Sequence, residues 1–424
     1  MAEIEPLRAL HYDLERTGGL QDVTAPPYDV IEAAQRAELE ARSPYNVVHI
    51  DLPRSRDGDP YAHAARALED WRARGIVVTD GGPAVWPLEQ DYTGPDGRRR
   101  ARRGFLARVR VEDYGAGRIR PHERTHPGPK EDRLRLTRAT KANLSPIFSL
   151  FSDESGAVWD ALAPFTEQAA WAQATDDEGT VNRLWRVADP RAIATVKEAL
   201  GDAELLIADG HHRYETARVY ADEVGGEGAH RYVLMCLVAL EDPGLTVFPT
   251  HRLVRGLAAD RHETLAAAIR RDFELEPLAD SAALTTALTS STGDEVRIGY
   301  IDSHFGRPFV LTLKDPAIAD AALAGYAEPY RRLDTAVLES LILKGPLGMT
   351  DADIDDLQGL GYARDPAQAL ELVESGRYDA AFLMAPTPIE RVRAVAAAGE
   401  SMPPKSTYFF PKVPTGLLFN PLVE

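Results

Sequence analysis

The 424-residue sequence holds a single cysteine, Cys236. One thiol excludes an intramolecular disulfide and any cysteine-cluster metal site, and such sparing use fits a reducing compartment. Long apolar runs are missing too. Val233–Leu240 is eight residues long, against the roughly 18 of a membrane span, and reads as a buried strand. Met1-Ala-Glu-Ile-Glu5 is the wrong start for a secretory signal, so the expectation is a cytoplasmic protein with no membrane partner. Positive charge is also scarce. Lys and Arg number 48 against 66 Asp and Glu, a net charge of −18, which argues against a broad nucleic-acid footprint. Any phosphate chemistry must then come from a local patch. Lysine is the rarer cation: only Lys130, Lys141, Lys197, Lys314, Lys344, Lys405 and Lys412 occur. Four of them fall in two polar clusters, 130–141 and 405–412.

What is present is ordinary in bulk, with 44% hydrophobic and 27% charged residues. Strand patterns occur at Val47–Leu52, Gly104–Val111, Pro146–Phe151, Glu204–Ala208, Tyr232–Leu240, Val296–Asp302, Phe309–Leu313 and Ala380–Met384. Helical patterns occur at Ala62–Arg74, Ala192–Leu200, His211–Glu223, Arg261–Asp272, Thr335–Leu343, Pro366–Ser375 and Ile389–Ala398. The two kinds mix without strict alternation. The pattern predicts an α+β fold, mixed sheets with flanking helices, rather than a doubly wound sheet. Three regions are expected: a main α+β domain over 1–254, a small α/β subdomain over 255–330, and a helical region over 331–424 ending in a tail rich in proline and aromatics. The segments Ser290–Asp294 and Gly306–Pro308 read as turns.

Several polar stretches compete for a functional role. Arg98-Arg-Arg-Ala-Arg-Arg103 follows a turn signal and reads as a solvated hairpin tip, with phosphate or RNA contact as the alternative. His122-Glu-Arg-Thr-His126 matches the H-E-x-x-H zinc-protease pattern. That chemistry needs a helix presenting both imidazoles on one face, and Pro121, Pro127 and Pro129 leave barely one turn. The same segment runs on through Lys130 to Asn143 as an irregular loop, either a lid or a plain surface loop. Tyr28 and Tyr45 each follow a proline turn and serve as pocket wall or as peripheral packing. Near the C-terminus, Lys405, Ser406 and Thr407 offer one charge and two hydroxyls to an anion, unless the tail merely docks.

The most concentrated chemistry lies at Ala208-Asp-Gly-His-His-Arg213, where an apolar strand turns into a helix. Gly210 permits a left-handed turn. The helix start supplies unpaired N–H groups and a positive dipole end. Arg213 adds a planar fork, and His211 and His212 add donors that titrate near neutrality. Asp209 is placed to cap the helix, hold Mg²⁺ or act as a base. Adjacent histidines diverge by about 100° on a helix, which disfavours a metal there.

The set Ala25-Pro-Pro-Tyr-Asp-Val-Ile31, Ser43–Pro53, Asn143–Phe151, Ala208–Ala217, Pro249-Thr-His-Arg252 and Met402–Lys412 resembles a bacterial and archaeal family known as domain of unknown function 1015. The Asp-Gly-His-His-Arg turn is similar to the signature of the ParB/sulfiredoxin superfamily. Its members include sulfiredoxins, CTP-binding ParB proteins and kinases that phosphorylate free serine, and they hold nucleotide phosphates at such a helix start. The resemblance implies a ParB/sulfiredoxin-like nucleotide-binding core, with Gly210, His212 and Arg213 on phosphate-binding positions. His211 falls where sulfiredoxins carry their reactive cysteine, which argues against that chemistry here. The turn is most similar to the serine-kinase version.

The leading expectation is a nucleotide-dependent phosphotransferase acting on a small hydroxylated metabolite, free serine among them. ATP or ADP would be the cofactor, with Mg²⁺ bridging its oxygens. Gly210, His211, His212 and Arg213 would hold the phosphates, and Asp209 or Glu123 would be the base. Lys405 and Ser406 would add anion contacts, with His122 and Lys130 on a closing loop. The rival readings are a non-catalytic nucleotide- or metabolite-binding regulator, and a phosphatase or nucleotide hydrolase.

Overall fold

The computed structural model describes residues 2–54, 58–115, 118–123, 127–289 and 295–423. Two compact units emerge. The first comprises Met1–Pro121, Thr125–Leu245 and Pro411–Glu424, and the second comprises His122–Arg124 and Thr246–Phe410.

The first unit is built on a mixed sheet, nine-stranded among the described residues. Its order is Ile119–Arg120, Leu205–Asp209, Ile147–Phe151, Tyr232–Ala239, Arg99–Arg110, Trp86–Thr93, Val181–Leu184 and Ala172–Thr175, with Ile4–Glu5 pairing against Arg99–Arg110. Leu205–Asp209 runs parallel to its edge neighbour and antiparallel to Ile147–Phe151. Tyr232–Ala239 runs parallel to Ile147–Phe151 and antiparallel to Arg99–Arg110. This mixture is the α+β class read from the sequence. The central strand Tyr232–Ala239 is buried over Val233–Val238, as an apolar run covered on both faces must be. One sheet face carries Phe105, Ala107, Ile147, Ile207, Met235 and Leu237 into a core shared with Val158, Leu162, Val196 and Tyr214. Those last four lie on the helices Ala157–Thr166, Pro190–Ala199 and His211–Val224.

The second unit contains a six-stranded sheet with every pairing antiparallel among the described residues. The order is Phe273–Pro277, Phe309–Leu313, Arg297–Asp302, Ala380–Met384, His251–Val254 and Leu360–Ala363. Leu253, Val310, Ala381 and Leu383 from its strands pack with Leu284, Leu288, Ala369 and Val373 from helices. A separate ribbon pairs Thr246–Phe248 with Tyr408–Phe410. No helix among the described residues is long and apolar enough to cross a membrane.

Three local expectations are corrected. Val47–Leu52 is not a strand: Val48–Asp51 forms a helical turn. Asn46 dictates this, its Oδ1 accepting the Val48 N–H while its Nδ2 donates to the carbonyls of Asp22 and Thr24. Short apolar runs do not distinguish the two states by pattern. The expected loop from 121 to 143 contains the helix Pro127–Thr140, since prolines in a first helical turn remove N–H groups that would lack partners anyway. The helix begins after His122 and Glu123, so the zinc-protease geometry is absent there; Arg124–His126 lie outside the described residues, as do Ser290–Asp294. Finally, Thr93–Arg99 does close a hairpin between Trp86–Thr93 and Arg99–Arg110, but the arginine run is not all solvated. Arg102 is 1% exposed.

Candidate functional site

The strand Leu205–Asp209 carries a β-bulge. Ile207 pairs with Ser149 and Asp209 with Phe148, leaving Ala208 unmatched. Strand side chains alternate, so without the bulge Asp209 would join Ile207 on the apolar face. The extra residue turns Asp209 to the face of Phe148 instead. Gly210 follows with φ 95° and ψ 29°, and the 14-residue helix His211–Val224 starts there with no side-chain cap. Asp209 therefore does not cap this helix, as one sequence reading allowed.

The carboxylate binds two cations. Arg213 Nη2 donates to Asp209 Oδ2 at 2.5 Å, and Lys412 Nζ donates to Oδ1. Arg213 Nη1 donates to Ser145 Oγ at 2.6 Å and to the Pro146 carbonyl. Burial alone would raise the pKa of Asp209. The Lys412 ammonium and the Arg213 guanidinium, with His211, outweigh burial and hold the carboxyl well below the usual range. A Cβ on Gly210 would lie 2.9 Å from Arg213 Nε, so the guanidinium packs directly on the glycine.

Segments far apart in sequence meet behind Arg213. Arg133, from the helix Pro127–Thr140, donates to the Asp51 carbonyl at 2.7 Å and lies 4.1 Å over the Tyr28 ring. Burial raises the Asp51 carboxyl, opposed by Arg133 and Arg213, and pushes the Tyr28 hydroxyl up to about 12. A cavity of about 40 Å³ is lined by Asp51, Arg133, Ser145, Arg213 and Thr216, room for about one water. Lys130 pairs with Glu215 at 2.9 Å, tying its helix to His211–Val224. Tyr45 lies elsewhere, edge-on to Trp71.

The first unit thus holds Lys130, Asp209, Gly210, His211, His212 and Arg213 of the sequence-predicted residues. His122, Glu123, Lys405 and Ser406 belong to the second. There His122 is buried, its Nε2 2.7 Å from Thr407 Oγ1, and Thr407 also donates to Glu123. Ser406 Oγ lies 2.6 Å from the Pro403 carbonyl and 3.1 Å from Thr335 Oγ1. Lys405 is exposed at φ 58°. Arg252, from the Pro-Thr-His-Arg motif, donates to the carbonyls of Thr250 and Pro404. Sequence reasoning missed Lys412. The lysine cluster 405–412 was the available signal, and the reading there chose Lys405. Burial pushes the Cys236 thiol up to about 12, which makes it chemically inert at neutral pH.

Among the described residues no three His, Cys, Asp or Glu side chains gather as a metal site. Both oxygens of Asp209 are already engaged. These residues do not fit a resident, protein-held Mg²⁺; an ion arriving with a nucleotide would be held chiefly by phosphate oxygens.

The profile of one family, described as "Protein of unknown function (DUF1015)", matches residues 4–336. The chain belongs to that family. No curated protein matches the DUF1015 chain. Solved structures similar to it include a conserved hypothetical protein from Pyrococcus furiosus. That likeness has 15% identity and a TM-score of 0.37, covering 73% of this chain and 93% of the other. A free serine kinase in complex with AMP is 13% identical at a TM-score of 0.35, covering 72% and 86%. A C-terminally truncated SbnI from Staphylococcus aureus is 12% identical at 0.36, covering 72% and 82%.

Proposed function

We propose that the Asp209–Arg213 turn binds phosphate and that the protein is a nucleotide-dependent phosphotransferase acting on a small hydroxylated metabolite such as free serine. The observation that carries the reading is the start of the helix His211–Val224. It opens on a left-handed glycine, without a side-chain cap, beside two cations that share one carboxylate. An uncapped helix N-terminus presents N–H donors and the positive dipole end to an anion. Two cations against one carboxylate leave a local positive excess within a chain of net charge −18. ATP or ADP would supply the phosphate. The chain's own residues bind and orient: N–H groups of the first turn meet phosphate oxygens, and His212 stands beside them.

Asp209 serves this reading as an organiser of cations. A carboxylate held well below its ordinary range is a weak proton acceptor. Glu123 stands as a base on sequence grounds, with Glu123→Gln as its test. The occupied oxygens of Asp209 also favour a second reading, a nucleotide-binding regulator without turnover.

The test is incubation with labelled ATP or ADP and a panel of amino acids and sugars. A phosphorylated acceptor, lost in His212→Ala and Gly210→Ala, is the expected result. Nucleotide-dependent stabilisation without product identifies the regulator, and phosphate release without an acceptor identifies a hydrolase. No stabilisation by nucleotide or inorganic phosphate sinks the phosphate reading.

A further inference from the structure

The phosphate reading needs a cation that meets the ligand, and the geometry distinguishes two. Arg213 is 10% exposed and turned inward: one terminal nitrogen binds Asp209, the other Ser145 and Pro146. Its Nε is buried with no partner among the described residues, against Gly210. Lys412 is the more exposed of the two, at 19%. An ammonium carries three donors and shares a carboxylate and a phosphate readily.

Lys412 lies at the start of the strap Pro411–Glu424, by which the chain returns to the first unit after completing the second. Two buried side chains grip that strap. Arg102 Nη2 donates to the Pro411 carbonyl at 2.6 Å, and Gln90 Nε2 donates to the Lys412 carbonyl at 3.2 Å. Gln90 is itself held, its Oε1 accepting from Arg102 and its Nε2 donating to Asn182 at 2.8 Å. Arg102 has no carboxylate partner among the described residues, and its Nη1 is buried without one. Its guanidinium lies 4.4 Å over the Phe148 ring, and Phe148 is the register partner of Asp209. Burying an unpaired guanidinium is costly. Packing alone does not account for one, whereas fixing the backbone on both sides of the Lys412 nitrogen does.

We propose that Lys412 is a phosphate-contacting residue of the Asp209–Arg213 site, and that Arg102 and Gln90 are its positioning residues, acting through the strap. The inference rests on the phosphate reading above. The arginine run at 98–103 acquires a purpose through one member: Arg102 binds no ligand but sets the residue that does.

Calorimetric titration of ADP and of inorganic pyrophosphate into the full chain tests this, with the wild type, Lys412→Gln, Arg102→Met and the double variant. Lys412→Gln is expected to weaken binding about tenfold or more, the loss of one charge-assisted hydrogen bond. Arg102→Met should approach that loss, and the double variant should bind no worse than Lys412→Gln alone, because coupled residues are non-additive. Arg102→Lys should fail to rescue, since an ammonium cannot span Gln90 and Pro411 as the fork does. Near-UV circular dichroism confirms folding. If Arg102→Met does not fold, Gln90→Met releases the Lys412 carbonyl and carries the same expectation. Wild-type affinity in Lys412→Gln overturns the contact, while the phosphate reading survives. An Arg102→Met loss that persists undiminished in the Lys412→Gln background overturns the positioning role. A wild type that binds neither ligand overturns the phosphate reading, and this inference with it.

Discussion

Asp189 and Asp209 both stand at the start of a helix in the first unit, and they do opposite things. Asp189 is an N-cap, its Oδ1 accepting from the N–H groups of Arg191 and Ala192 at 2.9 Å each. Asp13, Asp59, Asp315 and Asp365 begin their helices in the same way. Asp209 accepts from Lys412 and Arg213 and leaves the helix start uncapped. The following residue makes the difference. Pro190 enters the helix directly, with its φ preset. Gly210 inserts a left-handed residue that moves the aspartate one position out. One glycine for one proline separates a helix start capped by its own aspartate from one whose aspartate turns to two cations instead.

Substitutions at the two starts sharpen the contrast. Asp209→Asn leaves two cations without their shared carboxylate and is expected to cost about 3 kcal/mol in urea unfolding. Equal stability of variant and wild type would break the comparison at its base. The pH dependence carries a definite sign. The folded-state pKa of Asp209 lies below its ordinary 3.8. Its contribution is therefore fully present above about pH 4 and is lost as pH falls through the folded value. The stability gap between wild type and Asp209→Asn should accordingly close in acid and persist at neutrality. Gly210→Ala places a Cβ against a pinned Arg213 at positive φ and should cost about 1–2 kcal/mol. It should also abolish the rise in melting temperature with inorganic phosphate. Asp189→Ala should cost about 1 kcal/mol with the phosphate response intact. Smallest of all, Asp189→Asn should stay within about 0.5 kcal/mol, because asparagine caps as well as aspartate.

The sequence made the turn at 208–213 legible because strand, glycine and helix are contiguous there, and contiguity is what periodicity reads. The α+β class was legible for the same reason: the central strands are long apolar runs, and the helices His211–Val224 and Ala259–Asp272 fall where their patterns predict. Lys412 was not legible. It reaches Asp209 across 203 residues of chain, and no local pattern encodes that closure. Arg102 was obscured by composition. Five arginines within six residues look solvated, yet strand alternation sends one inward among them. The β-bulge at Ala208 was invisible as well, since a bulge is a property of two strands and leaves no mark on one. Pro127 and Pro129 were read as breakers where they are starters. Proline signals a helix boundary without saying which side of it the helix lies on.

The strap has a consequence for how the protein is made. Residues 411–423 leave the ribosome only after the whole second unit, although they belong with the strands of the first. Until then Asp209 can hold Arg213 but not Lys412, and the hairpin bearing Arg102 has no peptide to grip. Long-range closures of this kind are slow and come late. A nascent or prematurely terminated chain would therefore display a nearly complete sheet whose turn still lacks its Lys412 contact. The contacts of Lys412 and Arg102 form only once the strap has been made.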